Sequence, residues 1–186
     1  CWTYWVVSAG AHPGLLLNIE NERPIEFRRD KYGRYEMWTY DGAFDYFDEL
    51  SHAETVFPRV ILGLEGRDLV NLNVKHRSAY DKEIRDARKN LTPSKIAALR
   101  SAKNPYYDQL ETSITVLTIV LAQLYGGRER EGWKTLEQMW PSHDVARLTA
   151  LIKKTRAEGV LAYLPPRSRA ALEPVLSRRI PVATAR

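Results

Sequence analysis

The chain has 186 residues, of which 44% are hydrophobic and 27% are charged, and its formal net charge at pH 7 is +5. These proportions are typical of globular proteins and argue against a disordered or fibrous chain. Cys1 is the single cysteine, which excludes an internal disulfide framework and a cysteine-based zinc site within these residues. We expect one domain, or one domain with a small helical appendage.

Residues 113–127 form the longest apolar run, which is shorter than the roughly 20 residues that a membrane-spanning helix needs. The run therefore predicts a buried helix and no membrane association. No basic residue precedes the apolar run at the amino terminus, as it would in a secretory signal, so we expect a cytoplasmic location. Cys1 as first residue fits a chain boundary, a lipidated cysteine or an autoprocessed nucleophile, and the boundary is favoured.

Charge is distributed unevenly along the chain. Residues 1–70 hold seven basic and twelve acidic side chains, residues 71–126 hold nine and five, and residues 127–186 hold twelve and six. The net charges of these three parts are therefore −5, +4 and +6. Such asymmetry indicates either an anionic partner for the basic part or docking of one part against another.

The first forty residues have the pattern of a small antiparallel β-meander. Three short runs, at 14–20, 24–29 and 34–40, are separated by polar or glycine-containing turn segments, and residues 2–7 can add a strand. Further along, the runs VILGL and DLVNLNVKH flank the turn sequence EGRD. These two runs fit a hairpin, although their periodicity alone also fits a buried helix.

The sequence RYEMWTYDGAFDYFDEL, at 34–50, combines aromatic and acidic side chains and has two interpretations. The structural one is a strand followed by a helix, in which Asp41 is the cap and Phe44, Phe47 and Leu50 face the core. We favour this interpretation because propensity, cap and period agree.

The second interpretation of this segment is a functional site. Asp45, Glu49 and His52 would then serve as metal ligands or proton-transfer groups, although their spacing matches no known metal motif. A hydrolase with its site near residues 36–52 is therefore kept as an alternative function.

Helical patterns dominate the rest of the chain. SAYDKEIRDARKN predicts a surface helix, and Thr92 followed by Pro93 marks the start of the next one. Residues 106–125 have a broad apolar face and no basic side chain, which predicts the central core helix and argues against a DNA-recognition helix. The predicted fold class is α+β, with an amino-terminal antiparallel β-meander packed against a helical layer and followed by a basic helical carboxyl-terminal region.

The carboxyl-terminal third predicts a separate helical unit. The chain would thus divide into an α+β core domain, 1–126, and a basic helical subdomain with a loose tail, 127–186. In the second part we expect a helix, then a helix capped by Ser142 and stopped by Gly159, then a short strand at VLAYL. This order resembles the architecture of a winged helix.

The leading functional prediction is a non-enzymatic protein that binds an anionic partner, nucleic acid first, through the basic third. An acidic protein partner, in a protein–protein interaction module, is the alternative for the same charges. No cofactor or metal is predicted, because the four histidines lie far apart in sequence and have no motif partners. The candidate contacts to nucleic acid are Arg147, Lys153, Lys154, Arg156, Arg167 and Arg169.

Overall fold

The computed structural model describes residues 2–8, 13–21, 23–66 and 68–164. Cys1, the predicted loose tail, and the candidate contacts Arg167 and Arg169 lie outside the described residues. The described chain has an α+β fold with two antiparallel sheets, of two and four strands, and six α-helices. Within these ranges no helix is long and apolar enough to span a membrane.

The strands of the predicted meander belong to two different sheets. The hairpin of β1 (Trp2–Ser8) and β2 (Gly14–Asn21) forms the smaller sheet. The larger sheet has the order β3-β4-β5-β6, and all neighbouring strands are antiparallel. Its strands are β3 (Glu26–Arg29), β4 (Tyr35–Tyr40), β5 (Arg59–Glu65) and β6 (Asp68–Asn71). The hairpin interpretation of VILGL and DLVNLNVKH is confirmed, with Gly66 at φ +66° in its turn.

The side chain of Asn21 fixes where the two sheets meet. Its amide nitrogen donates to Thr39 Oγ1 at 2.9 Å and to the Tyr40 carbonyl at 3.0 Å, and its amide oxygen accepts from the Gly42 backbone at 2.9 Å. The end of β2 is therefore fastened across the end of β4 by a side chain. The predicted antiparallel meander is present, but in the described residues it runs from β3 to β6, because β2 pairs with β1 and not with β3.

Six α-helices follow the strands in the described part of the chain. Thr92 caps the second by accepting from the Lys95 backbone, and Pro93 takes its first position, as predicted. The predicted helix at 106–125 is divided at Gln109, where the Ser113 hydroxyl donates to the Pro105 carbonyl at 2.7 Å. The helices are α1 (Arg77–Arg88), α2 (Pro93–Ser101), α3 (Pro105–Asp108), α4 (Leu110–Tyr125), α5 (Glu129–Met139) and α6 (Val145–Glu158).

Helix α4 is the centre of the core, as its apolar face predicts. Eleven of its sixteen residues are buried, and α1 and α5 both pack against it. Gly132 of α5 permits a close approach, since a Cβ there would lie 2.6 Å from Leu124 Cδ2. Leu148 and Ile152 of α6 belong to the same hydrophobic cluster as α4. In the described residues, α5 and α6 therefore share one core with the sheet, and the division at residue 126 stays a prediction.

The segment after β4 differs from the predicted helix. Asp41 is a cap, but of a single 3-10 turn, Gly42–Phe44, in which its side chain accepts from the Ala43 backbone. Tyr46 and Asp48 then adopt positive φ angles of 49° and 57°, which end the helical path. The predicted inward side chains are nevertheless buried; they are Phe44, Phe47 and Leu50.

Two details of the carboxyl-terminal prediction are wrong. Helix α6 starts at Val145, so the residue before it is Asp144 and not the predicted cap Ser142. The Asp144 carboxylate accepts a hydrogen bond from Trp140 Nε1 at 2.9 Å. The sequence VLAYL is a 3-10 helix, Val160–Tyr163, and the described chain has no strand at the place of a wing. Gly159 follows the end of α6, as predicted.

Candidate nucleic-acid interface

The positive charge of the carboxyl-terminal third is concentrated near its end. Residues 127–164 hold seven basic and five acidic side chains, for a net charge of +2. Residues 165–186, which lie outside the described chain, hold five basic and one acidic side chain, for +4. The net charge of the described part is therefore too small to mark an interface. Candidate contacts there are the individual cations that have no ion pair.

Arg147, a predicted contact, is held by two carboxylates. Its Nη1 and Nη2 donate to the two oxygens of Asp48 at 2.6 and 2.7 Å, and Nη2 also donates to Asp144 at 3.0 Å. These hydrogen bonds, that to Asp48 first, raise the pKa of Arg147. A bidentate pair of this kind fixes the guanidinium in position. Arg147 thus connects α6 to the segment after β4.

Arg156 is also occupied within the fold. Its Nη1 donates to Glu129 Oε1 at 2.7 Å, and its guanidinium carbon lies 5.4 Å from the centre of the Tyr125 ring. Lys153 and Lys154 are different, because both are exposed and neither has an ion pair with a described residue. Of the four predicted contacts that the structure describes, two are therefore free to meet a partner.

Helix α5 adds two free cations next to Lys153. Arg130 and Lys134 are four residues apart, so they lie on one face of the helix, and both are exposed without an ion pair to the described residues. The Nζ of Lys153 lies 5.4 Å from the centre of the Trp133 ring on α5, which places it beside them. Sequence reasoning missed this pair because it used α5 only for its apolar positions.

Helix α1 carries a second row of cations. Arg77, Asp81 and Arg85 follow one another at intervals of four residues, and the two arginines are exposed with no ion pair in the described chain. Asp81 is paired with Arg128, whose Nη2 lies 2.6 Å from Asp81 Oδ1, as an ion pair without hydrogen-bond alignment. Arg128 Nε also lies 3.7 Å from Glu131 Oε2, so Arg128 is shared by two acids and joins the row to the start of α5.

These residues define a surface that we call the α1–α5 cationic surface. Its free cations lie on three helices that meet through the Arg128–Asp81 contact and the Lys153–Trp133 contact. Unpaired arginine and lysine side chains at such a surface can neutralise phosphate groups and displace their counterions. Its members are Arg77, Arg85, Arg130, Lys134 and Lys153, with Lys154 adjacent on α6.

The alternative acidic site is assembled only in part. His52 Nδ1 lies 2.7 Å from Asp45 Oδ1, whereas Glu49 turns to another partner and accepts from Asn104 Nδ2 at 3.1 Å. The His52 side chain is 53% exposed, so the pair lies on the surface rather than in a cleft. Among the described residues no group of three or more histidine, cysteine or acidic side chains is placed to hold a metal ion.

We expect the double variant Asp45→Asn, Glu49→Gln to fold normally. Exposed contacts of this kind contribute little, so urea unfolding should show a loss of about 1 kcal/mol or less. Titration calorimetry with Mg²⁺ and Zn²⁺ should give the same result for both proteins. A double variant that keeps its stability but loses metal binding present in the parent chain would establish the acidic site instead.

A second histidine–carboxylate pair lies between the sheet and α1, and sequence reasoning missed it. Glu36 is buried, and its Oε1 accepts from Lys75 Nζ at 3.0 Å and His76 Nε2 at 2.9 Å, while Oε2 accepts from Trp38 Nε1 at 3.2 Å. Burial by itself raises the pKa of Glu36, but the hydrogen bonds from Lys75 and His76 outweigh it and lower the pKa.

Glu36 is 4% exposed and its two oxygens already accept three hydrogen bonds, so little of the carboxylate is open to a substrate. The adjoining pocket has a volume of about 100 Å³ and does not include His76 in its lining. We interpret the cluster as an ion-pair network that holds β4 against the turn before α1.

Comparison with protein-family models, curated proteins and solved structures finds no match for this chain. The functional proposal is therefore based on the chain's own side chains.

Proposed function

We propose that the protein binds the phosphate backbone of nucleic acid through the α1–α5 cationic surface. The observation that carries the proposal is the ion pair between Arg128 and Asp81, at 2.6 Å, which joins the unpaired cations of α1 to those of α5 and α6. Contacts between such side chains and phosphates position a protein on nucleic acid without reading the base sequence.

The surroundings of these cations favour nucleic acid over an acidic protein. The core of a protein–protein interface is apolar, with charged side chains at its rim. The large hydrophobic side chains that the described chain exposes lie outside α1, α5 and α6, for example Trp5, Phe27 and Tyr107. Trp133, the large ring among the cations, is half-buried and has Lys153 over its face.

The proposal changes the membership of the predicted interface. Lys153 and Lys154 are kept, whereas Arg147 and Arg156 have structural partners and are left out. Arg167 and Arg169 lie outside the described residues, so the α1–α5 cationic surface does not include them.

We expect Arg85→Ala and Lys134→Ala each to weaken binding to a similar extent for unrelated nucleotide sequences. Each lost phosphate contact should lower the slope of log affinity against log salt by about 0.9 on duplex DNA and about 0.7 on single strands. The measurement is fluorescence anisotropy with labelled duplex and single-stranded oligonucleotides, from low salt to about 0.15 M.

Lys82→Ala is the matched control. It removes the same charge from α1, but Lys82 is outside the row of Arg77, Asp81 and Arg85 and is paired with Asp86 at 2.8 Å. We expect it to change the slope by less than half as much as Arg85→Ala. An equal change in both variants, or no binding at protein concentrations on the order of 10 µM in low salt, would contradict the proposal.

A further inference from the structure

A groove of about 510 Å³ lies on a different side of α1 from Arg77 and Arg85, between α1, α4 and the start of β5. This volume falls within the range of small-molecule sites, roughly 300–1,000 Å³. Its lining includes Arg59, Glu83, Asn90, Ile114, Thr115 and Thr118. Lys82 and Asp86 also line it and are paired with each other at 2.8 Å.

Arg59 and Glu83 carry opposite charges side by side in this groove. Arg59 Nε and Glu83 Oε2 are 4.0 Å apart, which is too long for a hydrogen bond, and neither atom has another hydrogen-bond partner among the described residues. Burial raises the pKa of Glu83, and Arg59 opposes that effect. Both atoms are enclosed, so a ligand can reach this loosely matched pair only through its other polar atoms.

The position of Arg59 is fixed from behind. Its Nη2 donates to the Tyr40 hydroxyl at 3.1 Å, and its backbone carbonyl accepts from the Tyr80 hydroxyl at 3.0 Å. Nη1 is therefore the guanidinium nitrogen that has no hydrogen-bond partner in the described chain and is not enclosed. Oε2 of Glu83 is enclosed, so Oε1 is its accessible carboxylate oxygen.

The walls of the groove supply further acceptors and donors. The hydroxyls of Thr115 and Thr118 donate to the backbone carbonyls of Glu111 and Ile114, at 2.8 and 2.9 Å, so each oxygen keeps lone pairs for a ligand. The exposed side-chain amide of Asn90 has no hydrogen bond to the described residues and can donate. The groove thus offers hydroxyl acceptors and an amide donor in addition to the charged pair.

We propose that this groove binds a small zwitterion of the α-amino-acid type. Its carboxylate would contact Arg59 and its ammonium group would contact Glu83, while Asn90, Thr118 and Ile114 would line the rest of the site. A simple anion would be repelled by Glu83 and a simple cation by Arg59. A molecule with both charges on neighbouring atoms satisfies both side chains at once.

The test compares three probes with the full chain, in the absence of nucleic acid. Saturation-transfer NMR should detect L-alanine at millimolar concentration. N-acetyl-L-alanine, which lacks the ammonium charge, and L-alaninamide, which lacks the carboxylate, should each bind about tenfold more weakly or worse, because each loses a charge-assisted hydrogen bond. Equal signals from the three probes, or no signal from L-alanine, would overturn the proposal.

Variants assign the contacts. Glu83→Gln should weaken L-alanine binding at least about tenfold, whereas Glu137→Gln, an exposed acid on α5, should leave it unchanged. Arg59 is tied to the sheet, so Asn90→Ala and Thr118→Val test the lining of the groove in its place. Circular dichroism should show that all variants are folded. L-alanine binding that survives Glu83→Gln, Asn90→Ala and Thr118→Val without loss would contradict the site.

Discussion

Leu117→Ala should lower the free energy of unfolding by about 2–5 kcal/mol. Leu117 lies in the middle of α4 and has 0% of its surface exposed. The substitution removes buried methyl groups and leaves a cavity, because α1 and α5 pack on both sides of α4 and restrict its collapse. Urea unfolding followed by circular dichroism measures the difference.

Leu15→Ala is the matched control for this prediction. The chemical change is the same, but Leu15 lies on β2 with 59% of its surface exposed, so we expect a loss below about 0.5 kcal/mol. Equal losses in the two variants would mean that α4 is not the centre of the core.

The helical half of the fold could be predicted because its signals are local. The cap at Thr92, the proline at position 93 and the apolar period of α4 all act within a few residues of one another. The hairpin of β5 and β6 likewise surrounds a short turn. The separation of β2 from β3 into different sheets was less accessible, because alternation identifies a strand without specifying its neighbour.

The segment after β4 shows why local pattern was insufficient there. Its apolar spacing is helical, and the corresponding rings are buried, yet Tyr46 and Asp48 have positive φ angles. The contact that holds Asp48 comes from Arg147, 99 positions away in sequence. A long-range ion pair of this kind leaves no periodic signal, so the helix prediction failed and Arg147 was assigned to a surface.

The sequence predicts the candidate interface as an imbalance of charge but does not identify most of its residues. Lys153 and Lys154 stood out as consecutive cations, whereas Arg77 and Arg85 were hidden by Asp81 between them. Their row has mixed charge in the sequence, and only the structure shows that Asp81 is paired with Arg128. Which cations are paired depends on the tertiary structure, and this is the information that composition lacks.

Asp41 joins the sheet to the end of α6. Its carboxylate is fully buried and accepts hydrogen bonds from the Tyr125 hydroxyl at 2.7 Å, the Val160 backbone at 3.1 Å and the Ala43 backbone at 3.2 Å. Gly159 packs directly on it, and a Cβ at that position would overlap the carboxylate oxygens. Two elements separated by more than a hundred residues therefore depend on one side chain.

Asp41→Ala should cost about 3 kcal/mol or more, because it leaves three donors without an acceptor in a buried place. Asp41→Asn should cost less, since the amide oxygen can still accept from Val160 while the amide nitrogen donates to the oxygen of Tyr125. Urea unfolding of both variants at pH 7 tests this order. A loss for Asp41→Ala within about 0.5 kcal/mol would contradict the assigned role of the carboxylate.

The pH dependence of Asp41→Asn provides an independent check. Burial raises the pKa of Asp41 above its usual 3.8, so the folded chain holds the proton more tightly than the unfolded chain does. The contribution of Asp41 to stability is thus complete below pH 3.8 and falls as the pH rises through the folded pKa. Asparagine has no such transition, so the stability deficit of Asp41→Asn relative to the parent chain should shrink as the pH rises. Urea unfolding of both proteins, compared from about pH 3 to pH 7, measures the deficit, in which the titration of the other acids cancels. A deficit that stays constant or grows over this range would mean that the pKa of the buried carboxyl is not raised.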